Sequence, residues 1–196
     1  MLIPSSFQLF TKLIPIALII SGLALLPFGG ADLSIHSIVK RKKSILVFLF
    51  ICLFSFIIEV LGANTGLIFG NYFYGNSLSF KLFHTPLIIG LNWLILVYTT
   101  SSVLERLKIH NILKIALASS LMLLYDIILE KVAPILDMWH FKDGVVPLQN
   151  YLSWFAVSIM LHSLIKQFRI NTENKLSAIL LICQFLFFFV LATFLK

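Results

Sequence analysis

Charge is scarce in this chain. Only 12% of its 196 residues are charged, 60% are hydrophobic, and mean hydropathy is +1.02. So little polar surface excludes an ordinary soluble domain and reads as a polytopic membrane protein. Cysteine is scarcer still. The two copies, Cys52 and Cys183, lie in mid-span with no CxxC pair. That excludes a disulfide framework and a cysteine zinc site, and both are expected to be ordinary buried residues. The sequence also has no HExxH, no DxxxD of the kind that binds diphosphate–magnesium, no serine-hydrolase elbow and no phosphate loop. Its histidines do not form a metal set. No metal and no cofactor is expected.

A net charge of +7 does not point to nucleic acid, because the basic residues gather at span ends and set orientation. Lys40-Arg41-Lys42-Lys43 reads as a topology determinant, with an anionic-lipid contact as the functional alternative. The pattern predicts one all-α domain over 1–196, a bundle of six transmembrane helices. The spans are Leu13–Phe28, Ser44–Gly62, Pro86–Leu104, Ile115–Val132, Asn150–Lys166 and Leu176–Leu195. The first has the look of a signal peptide, but the basic run that follows it favours a retained span. Two polar, aromatic loops, Ala63–Thr85 and Ala133–Gln149, fall on one side. Lys40 to Lys43, Arg106, Lys108, Lys114, Lys166, Arg169 and Lys175 fall on the other, which is therefore the cytoplasmic side. Both termini and both loops then face outward from a bacterial inner membrane.

Against this apolar background two acids stand out. Glu59 and Asp126 each sit within a predicted span, where a carboxylate costs about 3 kcal/mol at the centre and usually faces the bundle interior. After Glu59 come Gly62-Ala63-Asn64-Thr65-Gly66 and the aromatic run Tyr72-Phe73-Tyr74. The third span holds Asn92 and Trp93, with Thr99 and Ser102 on the Asn92 face as packing groups. In the fourth span Ser119, Met122, Asp126 and Glu130 share one face, beside Tyr125. Glu130 reads equally well as an interfacial charge next to Lys131. The second loop brings Asp137, Trp139, His140, Phe141, Pro147 and Gln149, and Trp154 follows Asn150 by one turn. Interfacial tryptophans commonly serve only as anchors, and loop histidines such as His84 and His140 are commonly solvated.

Buried acids, amides and aromatic faces suit protonation of an alkene and shielding of the cation that results. A lipid-soluble polyene reaches such a site sideways from the bilayer. The ordered blocks Glu59–Gly66, Phe69–Tyr74, Pro86-Leu87 through Asn92-Trp93, Asp126 to Glu130, and Val146–Tyr151 with Trp154 resemble the integral-membrane carotenoid biosynthesis proteins. That family includes carotenoid 1,2-hydratases acting on γ-carotene-type and bacterioruberin-type precursors. The sequence departs from the pattern at Glu130–Pro134, where a tighter Asp-Pro is common, at Phe141, where Trp is common, and at Ser153, where Gly is common.

The resemblance implies cofactor-free hydration of an acyclic carotenoid end group. Asp126 or Glu59 would be the acid, and the other would handle the water with Asn64 and Asn150. Trp93, Trp139, Trp154 and Tyr72 would line the end-group pocket, together with Asn92 and Tyr125. Expected partners are the carotenoid, water, membrane lipids and other carotenoid-pathway enzymes. A carotenoid end-group cyclase, a non-catalytic carrier or assembly protein, and a proton-coupled transporter remain as alternatives.

Overall fold

The computed structural model describes residues 35–78 and 80–195. These residues hold five helices: α1 (Ile35–Thr65), α2 (Ile88–Glu105), α3 (Asn111–Val132), α4 (Leu148–Gln167) and α5 (Lys175–Phe194). The expected first span, Leu13–Phe28, lies outside the described residues. The other five predicted spans each correspond to one helix. Four stretches are long and apolar enough to cross a membrane: Lys42–Thr65, Ile88–Glu105, Asn111–Val132 and Lys175–Phe194. The remaining helix, α4, spans 20 residues but spends Asn150, Ser158 and His162 on its buried face.

Local chemistry sets the helix ends. α1 stops where Gly66 takes φ +69°, and the Gly66 N–H bonds to the Gly62 carbonyl at 2.9 Å. Glycine adopts that left-handed turn without strain. The His110 ring caps α3 by accepting from the Ile112 N–H. Asn174 caps α5 in the same way through Leu176, satisfying an amide that lacks an intrahelical partner.

The bundle is apolar on its outer face and holds polar side chains within its buried apolar core. Leu46, Leu49, Leu53 and Ile57 of α1 and Ile182, Leu186 and Phe189 of α5 are exposed. Ser55, Glu59, Thr99, Thr100, Ser119, Asp126, Ser158 and His162 are buried. That arrangement suits lipid, not water, as the surrounding solvent. α2 runs through the middle, buried without a break from Trp93 to Ser102, and contacts the other four helices. The two cysteines are free; Cys52 is part-buried and Cys183 lies on the exposed face of α5. Cys183 therefore departs from the buried place expected of it, because α5 buries its other face through Leu180, Leu181, Gln184 and Phe188.

The bundle has two unlike ends. At one, Lys114 and Lys166 both pair with Glu105. There Arg106 donates to the Asn174 carbonyl at 2.8 Å, and Lys43 stands 5.6 Å over the Phe168 ring. Thr99 bonds back to the Ile95 carbonyl and Ser102 joins Asn174, so both serve helix packing.

At the other end the two polar loops meet. Strand β1 (Tyr72–Tyr74) pairs antiparallel with β4 (Trp139–Phe141), setting Tyr72 opposite Phe141 and Tyr74 opposite Trp139. These strands are a departure from a purely helical reading. They form because alternate residues point to opposite faces: Tyr72, Tyr74, Trp139 and Phe141 turn inward and Phe73 turns outward. A second small pairing joins β2 (Lys81–Leu82) to β3 (Thr85–Pro86). Its two-residue turn, Phe83-His84, has positive φ at both positions, the geometry that matches strand twist.

Asp137 fastens the loops together. Its carboxylate accepts the Asn76 N–H at 2.9 Å and meets the His140 ring at 3.0 Å. Burial pushes this carboxyl up, but the Asn76 amide, His140 and Lys81 outweigh it and hold it below its ordinary value.

Candidate active site

Glu59 lies inside α1 on the buried face it shares with Ile51 and Ser55. Three side chains from other elements converge on it. Trp93 of α2 donates its indole N–H to Oε1 at 2.8 Å. Tyr72 and Tyr74 of β1 each donate a hydroxyl to Oε2 at 2.7 Å. Burial first, then the Glu59 carboxylate, pushes both phenols well above their ordinary values, which keeps them as donors. Strand alternation explains why two tyrosines reach one oxygen: they are two positions apart on β1.

The second acidic group comes from α3, where Ser119, Met122, Asp126 and Glu130 are all buried. Asn150, in the first turn of α4, bridges two of them. Its Nδ2 donates to Asp126 Oδ2 at 3.0 Å and to Glu130 Oε1 at 3.2 Å. Trp139 donates to Glu130 Oε2 at 3.0 Å. Asp126 Oδ1 is buried without a hydrogen-bond partner among the described residues.

Between these groups lies a cleft that encloses about 360 Å³ of atom-free space, part of it open to the surroundings. Glu59, Glu130 and Asn150 supply its polar groups. Phe69, Tyr72, Tyr74, Trp93, Trp139, Phe141 and Trp154 supply aromatic walls, and Ile89 and Asn92 complete it. Trp93 and Trp154 stack with centroids 4.0 Å apart and planes 21° from parallel. Tyr72 lies 5.7 Å from the Phe141 ring, and Tyr74 meets Trp139 edge-on.

A family model described as carotenoid biosynthesis protein matches residues 15–196. This chain belongs to the carotenoid biosynthesis protein family. No curated protein and no solved structure matches it. Family membership implies a lipophilic, carotenoid-type substrate, and the matched region takes in every residue of the cleft.

In this carotenoid biosynthesis protein the residues singled out from sequence fall into two groups. Glu59, Tyr72, Asn92, Trp93, Trp139, Asn150 and Trp154 come together around the cleft. Asp126, Tyr125 and Asn64 do not line it. Asp126 sits behind Asn150, fully buried. Tyr125 lines a neighbouring cavity and packs edge-on against Phe185 and Phe188. Asn64 is exposed and ties down the Phe83-His84 turn. It donates to the Val60 and Phe83 carbonyls and meets His84 at 3.2 Å.

Glu130 takes the place in the cleft that the sequence offered to Asp126. It lies one helical turn further along the same face, and Trp139 and Asn150 draw it inward from the interface. Its spacing from Asp126 was the available signal. Phe69, Tyr74 and Phe141 are cleft residues that sequence reasoning missed. The alternation of Tyr72 and Tyr74 was the clue for one of them.

Proposed function

We propose that this protein is a carotenoid hydratase, adding water across the terminal 1,2 double bond of an acyclic end group. One observation carries the reading: Glu59 and Glu130 line the same aromatic-walled cleft from two different helices.

In this mechanism Glu130 gives its proton to carbon 2 of the terminal double bond. The π electrons form the new C–H bond and leave a tertiary cation at carbon 1. The faces of Trp93, Trp139, Trp154 and Tyr72 stabilise that cation. Water bonds to carbon 1 as Glu59 takes its proton, giving a tertiary alcohol. Glu59 suits the role of acceptor because three donors already point at its oxygens. The proton then returns to Glu130 through water in the cleft, and the net reaction is addition of one water. Asn150 orients Glu130, with Asp126 behind it as a positioning residue. The chemistry uses no cofactor.

The reading extends to location. Basic residues gather at the end of the bundle away from the cleft, which supports a cytoplasmic side for that end and an outward-facing cleft in a bacterial inner membrane. α5 runs from the basic end back toward the cleft, which supports a C-terminus on the outer side. The N-terminus is assigned to the same side, and 1–196 to a single integral-membrane domain.

The test is Glu59→Gln, Glu130→Gln and Asp126→Asn in cells that make the acyclic precursor. The first two should abolish the hydroxylated pigment and the third should lower it. Full activity in both glutamine variants would reject the mechanism.

A further inference from the structure

A second cavity, enclosing about 450 Å³ of atom-free space that is partly open to the surroundings, adjoins the cleft and shares Ile89, Asn92 and Trp139 with it. It lies between α2, α3 and α5. Among the described residues no charged side chain lines it; the lining includes Leu129, Met138 and Phe188. Asn92, Tyr125 and Gln184 are its polar lining residues, and Gln184 of α5 is the one left with an unpaired buried group. That side chain is 1% exposed, lines the cavity, and has an amide oxygen with no hydrogen-bond partner among the described residues. An amide buried in this way is costly unless a ligand pairs with it.

The lining specifies the ligand. A charged group would enter without a counter-charge and is disfavoured. Water alone pairs with the amide but leaves the apolar walls of Leu129, Met138 and Phe188 uncovered. An apolar chain alone leaves Gln184 unpaired. An alcohol on an apolar chain satisfies both. Its hydroxyl donates and accepts, so it pairs with either end of the amide.

We propose that this second cavity is a subsite for the hydroxyl-bearing end of a polyene alcohol, and that Gln184 selects it. The proposal rests on the proposed function only for the class of ligand. An end hydrated in the cleft would pass Asn92 and Trp139 to reach Gln184, clearing the cleft for another end group.

Binding is measured without turnover. Purified protein in detergent is offered an equimolar pair of probes: lycopene saturated at both terminal double bonds, and the same molecule carrying one tertiary hydroxyl at its end. Neither probe has the bond that the cleft is proposed to hydrate, so failure of the hydration chemistry leaves this readout intact. The wild-type protein should retain the alcohol over the hydrocarbon by about fivefold, the worth of one neutral hydrogen bond. In Gln184→Leu that ratio should fall to about one, with hydrocarbon retention unchanged. If the leucine variant does not accumulate, Gln184→Met has similar length without a hydrogen-bonding group and should show the same loss. Equal retention of the two probes by the wild type, or a preference that survives in the variant, overturns the proposal.

Discussion

Removing the Tyr72 hydroxyl isolates one of the three bonds that hold Glu59. Tyr72→Phe keeps the ring that packs against Phe69 and Phe141 and deletes the 2.7 Å bond to Oε2. A hydrogen bond to a carboxylate contributes about 1.5–3 kcal/mol. For a protein of this size each kcal/mol corresponds to about 2–4 °C in melting temperature, so Tyr72→Phe should melt about 3–12 °C lower. Thermal unfolding in detergent micelles, followed by circular dichroism, gives the value. A double-mutant cycle assigns it. In a Glu59→Leu background the hydroxyl has lost its carboxylate, and Tyr72→Phe should cost at least about 1 kcal/mol less than in the wild type. Tyr74→Phe should behave alike, since it bonds the same oxygen. A Tyr72→Phe protein as stable as wild type, or a cost unchanged in the Glu59→Leu background, would refute the account of how Glu59 is held.

Three other perturbations read different parts of the structure. Gly62→Ala places a Cβ 2.6 Å from the Phe69 ring and 3.3 Å from the Tyr72 hydroxyl. Overpacking of this kind costs about 1–3 kcal/mol, and hydroxylated pigment should fall with the displaced cleft wall. The Asp137 latch should open in acid. Its folded pKa is depressed, so it stabilises the loops above about pH 4 and loses that contribution as pH falls through the depressed value. Hydrogen exchange at the Asn76 amide should accelerate there, and Asp137→Asn should abolish that dependence on pH. Glu105→Gln weakens the ion pairs at the basic end. These groups are partly exposed, so stability should change by less than about 1 kcal/mol and the pigment product should be unaffected.

Much of this arrangement was legible in the chain because a bilayer restricts the options. Apolar runs of span length locate helices. Five of the six predicted spans overlap the helices of the described residues, and the sixth lies outside them. Acids in such runs point inward, and Glu59 and Asp126 are both buried. What the sequence left open was depth and partnership. Helical periodicity puts Asp126 and Glu130 on one face, but it does not say which reaches a cleft. That depends on Asn150 and Trp139, which approach from α4 and β4.

The β1–β4 pairing was hidden for a similar reason. Its strands are far apart in sequence, the paired Tyr74 and Trp139 being 65 positions apart, and neither is long enough to announce itself. The Phe83-His84 turn lacks the Asn-Gly or Asp-Gly that usually marks such geometry. The resemblance implies that Asn64 helps handle the water. In the structure it spends its amide on the turn that follows.

The most direct measurement is the mass of the pigment made when this protein is expressed in a lycopene-accumulating host grown in heavy-oxygen water. Hydration predicts a product heavier than lycopene by one water, with the labelled oxygen in a tertiary alcohol. A new product of unchanged mass, or only unmodified lycopene despite folded protein in the membrane, would contradict it.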